Sequence, residues 1–249
     1  MKEETTRRFK TMFRIYRWTG SVLGAFVVAY ILLLNFPQVL FAHTAKHGAF
    51  TVYSRQPPGG DLEAVLDRAE EKLKTSPIYD SAIERRVYLT DSFGMYTLLS
   101  HKAYMSFANS VPFINNVIIN KSDASIDRVY VPRSWNNERS LSGVVAHETT
   151  HLFIRRRYGT LAASMMPVWK NEGYCEYIAG DSTITLEEGI RRWRENPTDD
   201  ATYRYVKYHL MVRQLLENEK MTVDDLFSRP FDEKEVAART FASFQKEPY

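Results

Sequence analysis

Ser140-Leu141-Ser142-Gly143-Val144-Val145-Ala146-His147-Glu148-Thr149-Thr150-His151-Leu152-Phe153-Ile154 carries a helix start, a helical apolar period and two histidines in one run. Ser140 is a helix-capping residue. Leu141, Val144, Val145, Leu152 and Ile154 follow at helical spacing, which predicts a helix ending near Gly159. His147 and His151 stand four apart and so project from one helix face, one turn separated. Both imidazoles reach a single ion from there, and Glu148 lies beside them where it can take a proton from a metal-bound water. The apolar flanks fit a buried metal-binding helix.

A zinc ion that keeps one position open for water needs a third protein ligand. The candidate lies in Pro167-Val168-Trp169-Lys170-Asn171-Glu172-Gly173-Tyr174-Cys175-Glu176-Tyr177. Glu172 comes 21 residues after His151. That distance lets the first helix end, a connector turn, and a second helix return a carboxylate. Glu176 is one turn further on the same face. It is placed to accept the free N–H of His147 and so orient that ring.

The two segments together resemble the gluzincin metallopeptidases, which bind zinc through two His and one Glu. The Trp169-Lys170-Asn171-Glu172-Gly173-Tyr174 run is most similar to the M1 aminopeptidases and the smaller peptidase-MA-like domains. The likeness covers residues 140–180. It implies a zincin-like domain, with His147, His151 and Glu172 as zinc ligands and Glu148 as general base. It also implies that Glu176 occupies the position where thermolysin-like members carry an outer Asp. The Gly-x-Met-Glu-Asn segment that M1 aminopeptidases use for a substrate's free amine is absent, and the chain is far shorter. The resemblance therefore carries the zinc chemistry and not aminopeptidase specificity.

Gluzincins commonly add a Tyr or His from a downstream helix to stabilise the oxyanion. Tyr203, Tyr205, Tyr208 and His209 follow Asp200. Tyr205, Tyr208 and His209 share a face, and Tyr208 and Tyr205 are the candidates; ordinary amphipathic packing accounts for the same spacing. An edge strand normally carries the substrate, and either 115–120 or 128–131 fits, with Asn116 as the candidate substrate contact. Cys175 reads as a small packing residue facing away from the metal. His43 and His47 repeat the four-residue spacing without the Glu and carry no metal reading. Arg155-Arg156-Arg157 and Arg191-Arg192-Trp193-Arg194 read as solvated helix faces.

Elsewhere Asp61 caps a helix carrying Leu62, Val65, Leu66, Ala69 and Leu73, and short strands are expected at 86–90, 116–120 and 128–131. Helices are expected at 160–166, 168–180, 185–195, 202–219, 222–228 and 232–246. Strands concentrated before a helical half make an α+β layout.

The chain has 249 residues, a formal net charge of +3 and one cysteine, which excludes an internal disulfide and an all-cysteine zinc site. Six of its 33 basic residues fall in 1–18, against two acidic ones. The remainder carries 27 basic and 28 acidic residues, so the body is not a basic nucleic-acid binder. The uncharged run from Trp18 to Ala42 follows directly and is long enough to cross a bilayer. The cations place the N-terminus in the cytoplasm and the body outside. A cleaved signal peptide has a similar layout, with Leu40-Phe41-Ala42 as its cut, but the long charged region and long apolar run favour an uncleaved anchor. The expected organisation is a basic segment 1–18, an anchor 19–42 in the lipid bilayer, and an extracytoplasmic domain 43–249. Its expected activity is zinc-dependent hydrolysis of a peptide or protein substrate. The alternatives are an inactive metal-binding module that docks an envelope partner, and a zinc amidase on a non-peptide envelope substrate.

Overall fold

The computed structural model describes residues 2–100, 105–197 and 203–244. The chain divides into two compact units, Met1–Phe41 and Ala42–Tyr249. The first holds α1 (Lys2–Asn35) and a short 3-10 turn, Pro37–Leu40. Within α1 the segment Met12–Asn35 is apolar and long enough to cross a membrane, and Leu23, Phe26, Ile31 and Leu32 are exposed. The helix stops at Asn35 rather than running to Ala42. Pro37 cannot continue a helix and forces Phe36 out of the helical region, to φ −126° and ψ 55°.

The second unit is α+β. Its elements are β1 (His43–His47), β2 (Phe50–Ser54), α2 (Leu62–Lys74), β3 (Arg85–Leu89), α3 (Phe93–Ser100), β4 (Ala108–Val111) and β5 (Asn116–Ile119). There follow β6 (Ser122–Asp123), β7 (Arg128–Tyr130), β8 (Glu138–Ser140), α4 (Leu141–Tyr158), α5 (Thr160–Met165), α6 (Val168–Ala179) and α7 (Leu186–Glu195). The chain then forms α8 (Arg204–Arg213), a π-helical turn Gln214–Asn218, α9 (Val223–Ser228) and α10 (Glu233–Phe244). The expected start of the α8 helix at 202 and the last residues of the expected 232–246 helix lie outside the described residues.

Five strands form one sheet in the order β1-β2-β3-β5-β4, and β6, β7 and β8 form a small second sheet. β2, β3 and β5 run parallel, while β1 and β4 pair antiparallel at the two edges. Alternation along β2, β3 and β5 sends Phe50, Val52, Val87, Val117 and Ile119 into one core. Leu62, Val65, Leu66, Ala69 and Leu73 of α2 and Val144 and Val145 of α4 enter the same core. α2, α4 and α6 pack against one another, so the His-bearing helix is wedged between the sheet and the helical half. A smaller cluster of Ile190, Trp193, Tyr203, Val206, Leu210 and Phe244 ties α7, α8 and α10 together.

Neither expected edge strand is an edge: β7, in the 128–131 stretch, lies between β6 and β8 in the second sheet. β5 is an interior strand, and Asn116 on it is fully buried between β3 and β4. The edge beside α4 is instead β4, whose four residues carry little apolar signal. The β1–β2 hairpin was also not expected, and it places His47 Nε2 2.6 Å from Asp67 Oδ1 of α2.

Candidate metal centre

Ser140 caps α4 as its residue type dictates, its hydroxyl accepting the Gly143 N–H at 3.0 Å. Asp181 fixes that cap, taking the Ser140 hydroxyl at 2.7 Å. Almost every α4 residue from Leu141 to Ile154 is buried, which holds the helix rigidly under the site. α6 begins after Pro167 and ends at Gly180, whose φ of +58° is the left-handed cap that glycine adopts without strain. A Cβ on Gly173 would fall 2.6 Å from the Tyr208 carbonyl oxygen, so glycine here lets α8 approach α6 closely.

These helices bring the acidic and imidazole groups together. His147 Nε2 lies 3.3 Å from Glu172 Oε2, and His151 Nε2 lies 3.6 Å from Glu172 Oε1. One carboxylate therefore spans both ring nitrogens. On its other side His147 Nδ1 sits 3.0 Å from Glu176 Oε1, at an angle short of a regular hydrogen bond. Glu176 is fully buried, and Arg139 donates to both its oxygens at 2.9 and 3.3 Å. Arg139 also donates to the Asp181 carbonyl. Sequence reasoning missed Arg139, because it precedes the helix and its partners lie 37 and 42 residues on.

His151 is oriented by Asn171. The Asn171 amide donates to the Ala163 carbonyl at 3.1 Å, which turns its Oδ1 to within 3.0 Å of His151 Nδ1. Nδ1 is therefore the protonated nitrogen, and Nε2 presents its lone pair toward Glu172. Cys175 does not face away as expected. It is fully buried with Sγ 3.3 Å from His151 Nδ1. The buried group His147, His151 and Cys175 can hold a metal ion. The two triads thus overlap, and they use opposite edges of the His151 ring.

The charges follow the packing. Burial raises the Glu172 pKa, but the adjoining His151 and His147 rings outweigh it and hold the carboxyl at about 2. Glu176 is likewise held at about 2, burial being outweighed by Arg139 and then His147. Burial lowers the His147 pKa, yet Glu172 and Glu176 push it up to about 10, whereas burial prevails at His151 and lowers its pKa. Burial, followed by the carboxylates of Glu172, Glu148 and Glu176, raises the Cys175 thiol well above its ordinary value.

The site opens into a cavity of about 760 Å³. His147, Glu148, His151, Glu172 and Tyr205 line it, with β4 residues 108–111 along one wall. Of the expected groups, these five come together and Glu176 stands behind them. Two do not. Tyr208 belongs to the hydrophobic core, with its backbone against Gly173. Asn116 sits inside the sheet, away from the cavity lining. His209 is also buried, its Nδ1 3.1 Å from the Glu176 carbonyl oxygen. Tyr203 and Tyr205 both line the cavity, but the Tyr203 hydroxyl donates to the Asn196 carbonyl at 2.8 Å; partial burial and then Glu172, Glu176 and Glu148 push the Tyr205 pKa up to about 12. No protein-family model and no curated protein sequence matches the chain.

Proposed function

We propose that this chain is a membrane-anchored zinc metallopeptidase of the gluzincin type, with a zincin-like domain outside the cytoplasm. The observation that carries this reading is the Glu172 carboxylate standing 3.3 and 3.6 Å from the Nε2 atoms of His147 and His151. Ligands about 2.1 Å from a tetrahedral zinc lie about 3.4 Å from one another. The two distances from Glu172, one from each carboxylate oxygen, match the edges of such a site. Asn171 engages the His151 Nδ1 and leaves its Nε2 facing Glu172, while Glu176 stands 3.0 Å from the His147 Nδ1 and orients that ring from behind. Cys175 meets the His151 ring on the Nδ1 edge that Asn171 occupies, opposite the Nε2 that faces Glu172, which favours Glu172 as third ligand.

When bound, zinc lowers the pKa of a coordinated water toward about 7 and polarises the scissile carbonyl. The protein's own groups do the rest. Glu148, next to the first ligand and lining the cavity, takes the proton of the attacking water and delivers it to the leaving nitrogen. Tyr205 stays protonated through neutral pH and donates to the carbonyl oxygen as charge develops there. β4 leaves one edge unpaired within its sheet and lines the cavity, so an extended peptide can add to it as a further strand. Arg139 and Glu176 hold His147 in place from behind.

The basic residues before the apolar helix orient it with its N-terminus in the cytoplasm. The test is to purify the full chain in detergent without chelator, assay bound metal by mass spectrometry, and incubate it with a mixed peptide library. About one zinc per chain and discrete cleavage sites are expected, with Glu148→Gln keeping zinc and cleaving nothing. A zinc-free protein, or undiminished cleavage by Glu148→Gln, overturns the reading.

A further inference from the structure

Arg155 lies one helical turn beyond His151 and lines the same cavity. Its neighbours behave as surface cations: Arg157 reaches Asp224 at 2.8 Å and Arg156 approaches Asp80 at 3.8 Å. Arg155 turns inward instead. Its Nη1 donates to Ser110 Oγ of β4 at 3.3 Å. Its Nε and Nη2 are buried and have no hydrogen-bond partner among the described residues. Those two N–H groups form one edge of the planar guanidinium, the fork that grips a carboxylate with two parallel hydrogen bonds.

Arg155 as a whole is half-buried, but burying two of a cation's donors unmet is costly unless something completes them. Arg139 shows the carboxylate-paired case in the same cavity, its Nη1 and Nη2 donating to the two oxygens of Glu176 although its Nε has no hydrogen-bond partner among the described residues. Glu148 acts on Arg155 through space without a hydrogen bond, and it is the group reserved for proton transfer. We propose that the Nε–Nη2 edge of Arg155 binds a carboxylate of the substrate, making Arg155 the specificity-determining residue of the cleft. This inference rests on the peptidase reading for the scissile bond, but not for the anion.

The geometry bounds where that carboxylate sits. Four helical residues separate Arg155 from His151, a rise of about 6 Å. An extended peptide covers that in about two residues. The carboxylate therefore belongs to the chain terminus or to an acidic side chain within about two residues of the cleaved bond. Ser110, which orients the guanidinium, lies on the strand expected to carry that peptide.

The experiment uses the full chain in detergent micelles, loaded with zinc. Matched peptides carry either a free or an amidated C-terminus, and either Asp/Glu or Asn/Gln side chains. Cleavage is read by mass spectrometry on the wild-type chain, and binding by fluorescence anisotropy on Glu148→Gln. Carboxylate peptides should be preferred about ten- to a hundredfold, as a two-pronged charge-assisted contact implies. The preference should vanish in Arg155→Gln and survive in part in Arg155→Lys, with metal content unchanged. Loss of preference on C-terminal amidation assigns the anion to the chain terminus; loss on Asp/Glu replacement assigns it to a side chain. Equal cleavage of acidic and amide peptides by the wild-type chain, with equal binding of them by Glu148→Gln, overturns the inference, whatever the Arg155 variants do. So does a preference that Arg155→Gln leaves intact. Carboxylate-selective binding without cleavage sustains the inference and overturns the peptidase reading alone.

Discussion

At the scale of single residues, the question is which side chain completes the metal set. His151 Nδ1 is claimed by Asn171 and touched by Cys175, while its Nε2 faces Glu172. One ring cannot bring both edges to one ion. Glu172→Ala should therefore leave less than about a tenth of the wild-type zinc after dialysis, because it removes one of three protein ligands. Cys175→Ser should keep about one zinc per chain. Metal content by mass spectrometry decides, and the reverse pattern would make Cys175 the ligand. Tyr205→Phe tests a different role. Losing one donor to a developing oxyanion costs on the order of 10²-fold in kcat. Tyr205→Phe should show that loss with metal content and KM nearly unchanged, while Tyr208→Phe should leave kcat near wild type, since that ring sits in the core. Sequence spacing cannot separate the two phenols. Residues three apart are about 60° apart around a helix, enough to put one ring in a cleft and the other in a core. The arginine run divides likewise, for successive residues differ by about 100°. Arg156 and Arg157 meet surface carboxylates and Arg155 enters the cavity.

At the scale of elements, what was legible in the sequence was local. The α4 start at Ser140, its histidine pair and the α6 carboxylates follow from capping preference and a 3.6-residue period, which neighbouring residues define by themselves. Edge position is not local. Asn116-Val117-Ile118-Ile119 looks like a strand in isolation, but only its pairing with β3 and β4 on either side shows that it is interior. Ala108-Asn109-Ser110-Val111 is four residues with little apolar signal, and it becomes the edge through that same pairing. The close contact of α6 with α8 is similarly non-local, and Gly173 is its condition. Gly173→Ala would press a methyl to within 2.6 Å of the Tyr208 carbonyl and 2.9 Å of a Val212 methyl, in a region with no slack. It should destabilise the fold by about 1–3 kcal/mol, as overpacking of a close interface does. A lowered urea midpoint with an unchanged slope would show it. Because Gly173 adjoins Glu172, zinc affinity should fall with it, and added zinc should restore part of the midpoint.

At the scale of the whole molecule, the chain separates into Met1–Phe41 and Ala42–Tyr249, and the charge separates with it. The cations gather at residues 2–17, ahead of and in the first turns of the Met12–Asn35 segment, whereas the rest is near neutral. The second unit has its own sheet, its own core and every candidate ligand, so membrane attachment and metal binding should be separable. A chain starting at Ala42 should be soluble without detergent, unfold cooperatively, and bind about one zinc. The full chain should remain with membranes through high salt and carbonate washes and leave them only in detergent, since a segment of 24 residues at 1.5 Å rise spans about 36 Å against a hydrocarbon core of about 30 Å. Release by salt alone would mean that the basic residues, and not the apolar helix, hold the protein to lipid. A protease added outside intact cells, or to the periplasm of opened ones, should degrade the Ala42–Tyr249 unit and spare residues 1–18. Protection of the larger unit instead would invert the topology that the cation bias implies and place the metal site in the cytoplasm.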